Sequence, residues 1–123
     1  MRLRILVPLM VALLALAACD GDDNDVAEAD GVGDDGVITL EMYDMYYEPD
    51  AVTVPAGENV TFELVNEGGS EHDLTFDDGR QSEMVQPGET VMFEAGAFEE
   101  DTVGWCTVPG HREAGMELEV TVE

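Results

Sequence analysis

Between Val37 and Val122 the chain is cut into short runs rich in β-branched and aromatic residues, with Gly, Pro and acidic turns between them. The runs are 37–43, 51–54, 59–65, 72–76, 90–94, 101–106 and 116–122. Pieces this short suit strands better than helices, and seven or eight of them at such spacing predict an all-β sandwich. Two runs alternate cleanly. Val60, Phe62 and Leu64 oppose Thr61 and Glu63, and Met116, Leu118, Val120 and Val122 oppose Glu117, Glu119 and Thr121. No sustained helical period occurs, although 95–100 has room for one helical turn.

Residues 37–123 are enough for one modest core. The chain has 2 cysteines, Cys19 and Cys106. Cys19 belongs to the leader region described below, so no pair remains for a disulfide.

The stretch Cys106-Thr-Val-Pro-Gly-His111-Arg-Glu-Ala-Gly-Met116 spaces a thiolate, an imidazole and a thioether five residues apart. Pro109-Gly110 and Ala114-Gly115 let the backbone double back, so the three donors can converge on one ion. Thiolate with imidazole favours copper, zinc or iron, and the thioether points to copper. A blue-copper site needs two imidazoles, and the chain contains 2 histidines. The second, His72, shares a strand face with Leu74 and Phe76, which aims it inward.

Tyr47-Glu48-Pro49, Pro55-Ala56-Gly57-Glu58, Asn66 before His72-Asp73, Pro87-Gly88-Glu89 and the Cys106 loop together resemble the cupredoxins, small blue copper proteins. The resemblance covers nearly all of 37–123. It implies a Greek-key β-sandwich of the plastocyanin, azurin and rusticyanin kind, with one type 1 copper on His72, Cys106, His111 and Met116. The Cys-x4-His-x4-Met spacing looks most like rusticyanin, whereas plastocyanin has a shorter Cys-to-His loop. The family also implies that Asp73 and Thr107 tie the two ligand-bearing segments together, and that the carbonyl of Glu71 can approach the metal. Two positions depart from many relatives. Gly104 stands where an aromatic often precedes the Cys by two residues, and Leu118 stands where Gly often follows the Met by two.

The other groups read as structure. Met42, Met45, Met84 and Met92 fit core gap-filling, and Tyr43, Tyr46, Tyr47 and Trp105 fit packing. Ser70 and Ser82 lack any nucleophile motif.

Met1-Arg2-Leu3-Arg4 followed by the apolar run 5–18 reads as an export signal, too short for a comfortable membrane span. Leu16-Ala17-Ala18-Cys19 resembles a bacterial lipobox, in which Cys19 is lipidated; ordinary cleavage with Cys19 left free is the alternative. Lipid chains would anchor the protein to the outer face of the cytoplasmic membrane. Residues 20–36 hold almost no large apolar side chain and read as an acidic disordered tether, with a span of roughly 20 to 25 Å.

Removing 1–18 takes Arg2 and Arg4 and leaves Arg80 and Arg112 against 29 acids, a formal −27, with no lysine. That charge argues against nucleic acid and repels anionic headgroups, so membrane contact must come through the anchor. A high-salt habitat and a basic redox partner both explain it. Rising salt should stabilise the fold in the first case and slow the partner reaction in the second.

The expected function is extracytoplasmic electron transfer by a monomer, with membrane-associated or soluble respiratory redox proteins as partners. Copper delivery, storage or resistance is the alternative, and a metal-free adhesion sandwich a third. An enzyme is not expected: four protein donors leave no open position on the metal, and the chain lacks the second domain and extra histidines of the copper nitrite reductases and multicopper oxidases.

Overall fold

The computed structural model describes residues 32, 33 and 35–123. The export signal, Cys19 and most of the acidic tether therefore lie outside the described residues. Val32, at the C-terminal end of that acidic stretch, packs against the core.

Alternation organises two four-stranded sheets. One has the order β2 (Tyr46–Glu48), β1 (Val37–Tyr43), β4 (Asn59–Asn66), β6 (Thr90–Ala97). The other has the order β3 (Ala51–Val54), β8 (Glu117–Val122), β7 (Thr102–Trp105), β5 (Thr75–Phe76). β1 runs parallel to β4 and β3 parallel to β8, and the remaining pairs are antiparallel.

Every second residue of β4 is buried, from Val60 through Phe62 and Leu64 to Asn66, which delivers a polar residue to the end of an apolar face. Phe62 stacks on Phe76 and Phe93 at 6.3 Å, and Phe76 meets Phe98 edge-on at 5.3 Å. Each such ring contributes roughly 1.5–3 kcal/mol by leaving water. The described residues carry this core without a disulfide.

Several local expectations change. Where a single turn of helix is anticipated over 95–100, residues 95–97 are instead the end of β6 and 98–100 are irregular. Thr61 pairs with Glu94 and Val60 with Gly96, so Ala95 is an extra residue in a bulge, and Gly96 takes a φ of 81° there. Left-handed backbone of that kind suits glycine and not a helix. β2 is a strand that the short Tyr-Tyr-Glu stretch gave little reason to expect. The run at 72–76 is a ladder only over Thr75–Phe76. Ser82 Oγ accepts from the Leu74 amide at 3.0 Å, so a side chain replaces a backbone partner and interrupts the ladder. Of the four methionines expected in the core, only Met42 is there; Met45, Met84 and Met92 are exposed at 45%, 36% and 54%.

This topology sets the position of the site. β7 is antiparallel to both β5 and β8, so its C-terminal end lies beside their N-terminal ends. Cys106 follows β7, Met116 precedes β8 and His72 precedes β5. Two stretches of sequence, the 106–116 loop and the segment at His72, therefore meet at one end of one sheet.

Candidate metal centre

Hydrogen bonds within its own backbone shape the Cys106–Met116 loop. His111 N donates to Val108 O at 3.0 Å, Met116 N to His111 O at 3.0 Å, and Cys106 N to Met116 O at 3.3 Å. Gly110 and Gly115 turn the chain at φ values of 86° and 107°. The loop thus closes on itself and presents Cys106 and His111 to the same point.

His72 reaches that point from the segment leading into β5, the neighbour of β7 in the same sheet. Its amide and carbonyl exchange hydrogen bonds with Val85 at 3.1 and 2.8 Å. Asn66, buried at the end of β4, donates to Ser70 O and Val85 O, each at 2.8 Å, and accepts from Gly68 N at 2.8 Å. This amide fastens both the loop before His72 and the Val85 segment bridged to it.

Cys106 Sγ lies 3.9 Å from His72 Nδ1 and 3.7 Å from His111 Nδ1, and one donor atom from each residue lies within 4.8 Å of the others. The two imidazole rings stand 5.0 Å apart at 47°. Met116 is fully buried, and its backbone bonds to His111 O and Cys106 N bring it beside the loop's other two donors. A sulfur at about 2.3 Å and a nitrogen at about 2.0 Å from one ion stand about 3.7 Å apart at a trigonal angle. The observed separations fit this. Two imidazoles, one thiol and a buried thioether are the donor set of a type 1 copper, and the cluster fits one such ion.

Asp73, next to His72, accepts from Thr107 N and Thr107 Oγ1, both at 2.7 Å, and from Gln81 Nε2 at 3.1 Å. The family resemblance expected the tie between Asp73 and Thr107. Tyr47, expected only to pack, also donates from its buried hydroxyl to Asp73 O at 2.6 Å.

Burial pushes the Cys106 thiol up from its ordinary value, while the Asp73 and Val108 amides pull it down. Burial also lowers His72, against the Asp44 hydrogen bond that raises it. A cation bound there would displace the Cys106 thiol proton to solvent.

A family model described as a cupredoxin-like domain matches residues 6–100. The chain belongs to the cupredoxin-like family. The matched span includes His72 and stops before Cys106, so the donor loop is recognised from its own chemistry. No curated protein matches the sequence significantly. The fold of this cupredoxin is similar to that of a reduced auracyanin from Roseiflexus castenholzii, with 23% identity, TM-score 0.59, and coverage of 72% of this chain and 97% of that one. It is also similar to auracyanin A of Chloroflexus aurantiacus, described as a "blue" copper protein, at 22% identity, TM-score 0.55, and 72% and 100% coverage. A multicopper oxidase shares the fold at 14% identity and TM-score 0.60, with 71% of this chain covering 41% of that one.

The structure also accounts for the two departures from relatives. A Cβ on Gly104 would sit 2.8 Å from both Leu74 and Phe76, because Phe76 already fills that space from the neighbouring strand. Leu118 is fully buried in the core.

Asp44 is the residue that sequence reasoning missed. Its Oδ1 stands 3.1 Å from His72 Nε2, and its carboxylate also accepts from Gly69 N, Ser70 N and Ser70 Oγ. Hydrogen bonds from Gly69, Ser70 and His72 hold its carboxyl down at about 2. One acid among 29 carries no distinguishing signal; the only hint is its place between a strand and the Tyr46-Tyr47 pair.

Proposed function

We propose that this cupredoxin is an extracytoplasmic one-electron carrier, with one type 1 copper held by His72, Cys106, His111 and Met116. One observation carries this: the four side chains are 0%, 1%, 7% and 0% exposed, with three donor atoms clustered. A donor set so enclosed leaves no side open to a substrate, which supports transfer of electrons over an enzymatic role. Copper bound there would supply a one-electron Cu(II)/Cu(I) couple.

The chain's own groups then divide the work. Cys106 is the anionic donor, and the Asp73–Thr107 tie keeps the His72 and Cys106 segments from moving apart. Packing this rigid keeps the donors in one arrangement for both oxidation states. His111 is the donor nearest solvent, and the exposed Pro109 and Ala114 with the half-buried Val108 flank it as the face for partners. Met116 is fully buried and contributes nothing to it.

Partners are redox proteins of basic surface. Arg80 is occupied by Asp78, Ala95 O and the Phe98 ring, and Arg112 by Glu117 and the Trp105 ring. Among the described residues both cations are thus engaged internally, leaving the acids to meet a partner. Anchoring through Cys19 and an acidic tether completes the proposal; Cys19→Ala should release the protein from the membrane fraction.

The test is addition of one equivalent of cupric ion to the metal-free protein. The expected result is an intense visible thiolate charge-transfer band and a reversible one-electron wave in voltammetry. A pale spectrum, or no binding, overturns the proposal. Ready copper transfer to an acceptor protein, without a reversible wave, favours copper delivery instead.

A further inference from the structure

Asp44 sits in the two-residue turn between β1 and β2, where Tyr43 pairs with Tyr46. It is followed by Met45 at a φ of 77°, the one non-glycine left-handed residue among those described. A side chain in that region costs on the order of 1–2 kcal/mol, and such strain persists where surrounding contacts over-determine it. Those contacts converge on the Asp44 carboxylate. Gly69 N meets it at 3.0 and 3.1 Å, Ser70 N at 3.1 Å and Ser70 Oγ at 3.0 Å. The backbone also closes over the far side of the contact. A Cβ on Gly68 would lie 2.5 Å from Asp44 Oδ1 and 3.0 Å from His72 Nε2, so position 68 admits only glycine without displacing the pair.

We infer that Asp44 is a positioning residue for the metal centre, fixing His72 as the tautomer protonated on Nε2 and keeping Nδ1 unprotonated toward Cys106. An ionised carboxylate only accepts hydrogen bonds, so the nitrogen 3.1 Å from it carries the proton. In a neutral ring the other nitrogen then holds the lone pair, and this is the atom 3.9 Å from Cys106 Sγ. The ring itself is fully buried, while the Asp44 side chain is 53% exposed. The contact therefore joins a sealed donor to a negative charge at the surface. A carboxylate behind an imidazole raises its strength as a donor and favours the more positive oxidised state of a site in front of it. Asp44 thus also lowers the reduction potential.

This inference rests on the proposed copper site, but its first test does not. In the metal-free full chain, ¹⁵N NMR of the imidazole nitrogens should show His72 as a single Nε2–H tautomer. Asp44→Ala should give mixed tautomers, whereas Ser70→Ala, which spares the carboxylate, should not. In the copper-loaded chain Asp44→Asn, which retains an acceptor oxygen and loses the charge, should keep the blue band, raise the potential and weaken Cu(II) binding ~10–100-fold. A merely structural residue would leave tautomer and potential unchanged. If Asp44→Ala fails to fold, Asp44→Asn decides through the potential. A wild-type His72 found as the Nδ1–H tautomer, or an Asp44→Asn potential equal to wild type, overturns the inference. A wild-type chain that never turns blue overturns the copper proposal and leaves the tautomer measurement standing.

Discussion

The two stretches that build the centre are held in different ways. The Cys106–Met116 loop positions its donors largely through hydrogen bonds between its own residues, closed by His111, Met116 and Cys106. His72 is held from outside: by Val85 on one side, by the Asn66 amide beneath, by Asp44 on its outer nitrogen, and by the Asp73–Thr107 tie to the loop. One region is a local device and the other is the meeting point of four segments. A self-contained loop can tolerate change elsewhere in the fold. His72 cannot, because each of its supports comes from a different element.

Removing each imidazole in turn should expose this difference most strongly. We expect His111→Gly to keep copper and recover a modified blue spectrum on addition of free imidazole, since neighbouring residues 109, 110 and 112 are exposed. His72→Gly should lose the blue site without rescue, its pocket being sealed. Equal rescue of both variants in visible spectra would erase the contrast.

Next in size is Asn66→Ala. It strands the half-buried Gly68 N and Ser70 O and leaves Val85 O with the His72 amide as its one donor, and a group shielded from water without a partner costs about 1–3 kcal/mol. Urea denaturation should show a loss of at least about 2 kcal/mol, with hydrogen exchange rising first around His72 and not in the donor loop.

Gly104→Ala should cost about 1–3 kcal/mol through overpacking. Combining it with Phe76→Leu should recover part of that loss, because the clash is with the Phe76 ring and Leu74. Strict additivity of the two denaturation free energies would break this explanation.

Smallest is Arg112→Gln, at the surface of the loop. It removes a guanidinium 3.9 Å above the Trp105 ring and a 3.1 Å contact to Glu117, a change of about 0.5–1 kcal/mol. Trp fluorescence should shift while the visible band stays. A large loss of stability would show the loop to be less self-sufficient than its backbone bonds suggest.

What was legible in the chain follows the same division. The strand runs could be read where alternation is strong, as in 59–65 and 116–122, because period-two burial depends only on neighbours in sequence. The end of β6 could not, since Ala95-Gly96-Ala97 carries no β-branched signal and is strand only through its register with Asn59 and Val60. Met45, Met84 and Met92 misled for a related reason: apolar character says a residue can be buried, and the pairing of strands decides which ones are.

Taken alone, the sequence determined the donor types and the spacing that folds three of them into one turn of chain. Those are properties of covalent order and side-chain chemistry, which no packing can alter. Only the tertiary structure decided that Phe76 takes the place of a side chain at position 104, that Asn66 braces the His72 segment, and that Asp44, out of 29 acids, faces the outer nitrogen of His72. Such contacts join residues 19 apart at Asn66 and Val85 and 28 apart at Asp44 and His72, and they exist only once two sheets have closed on each other.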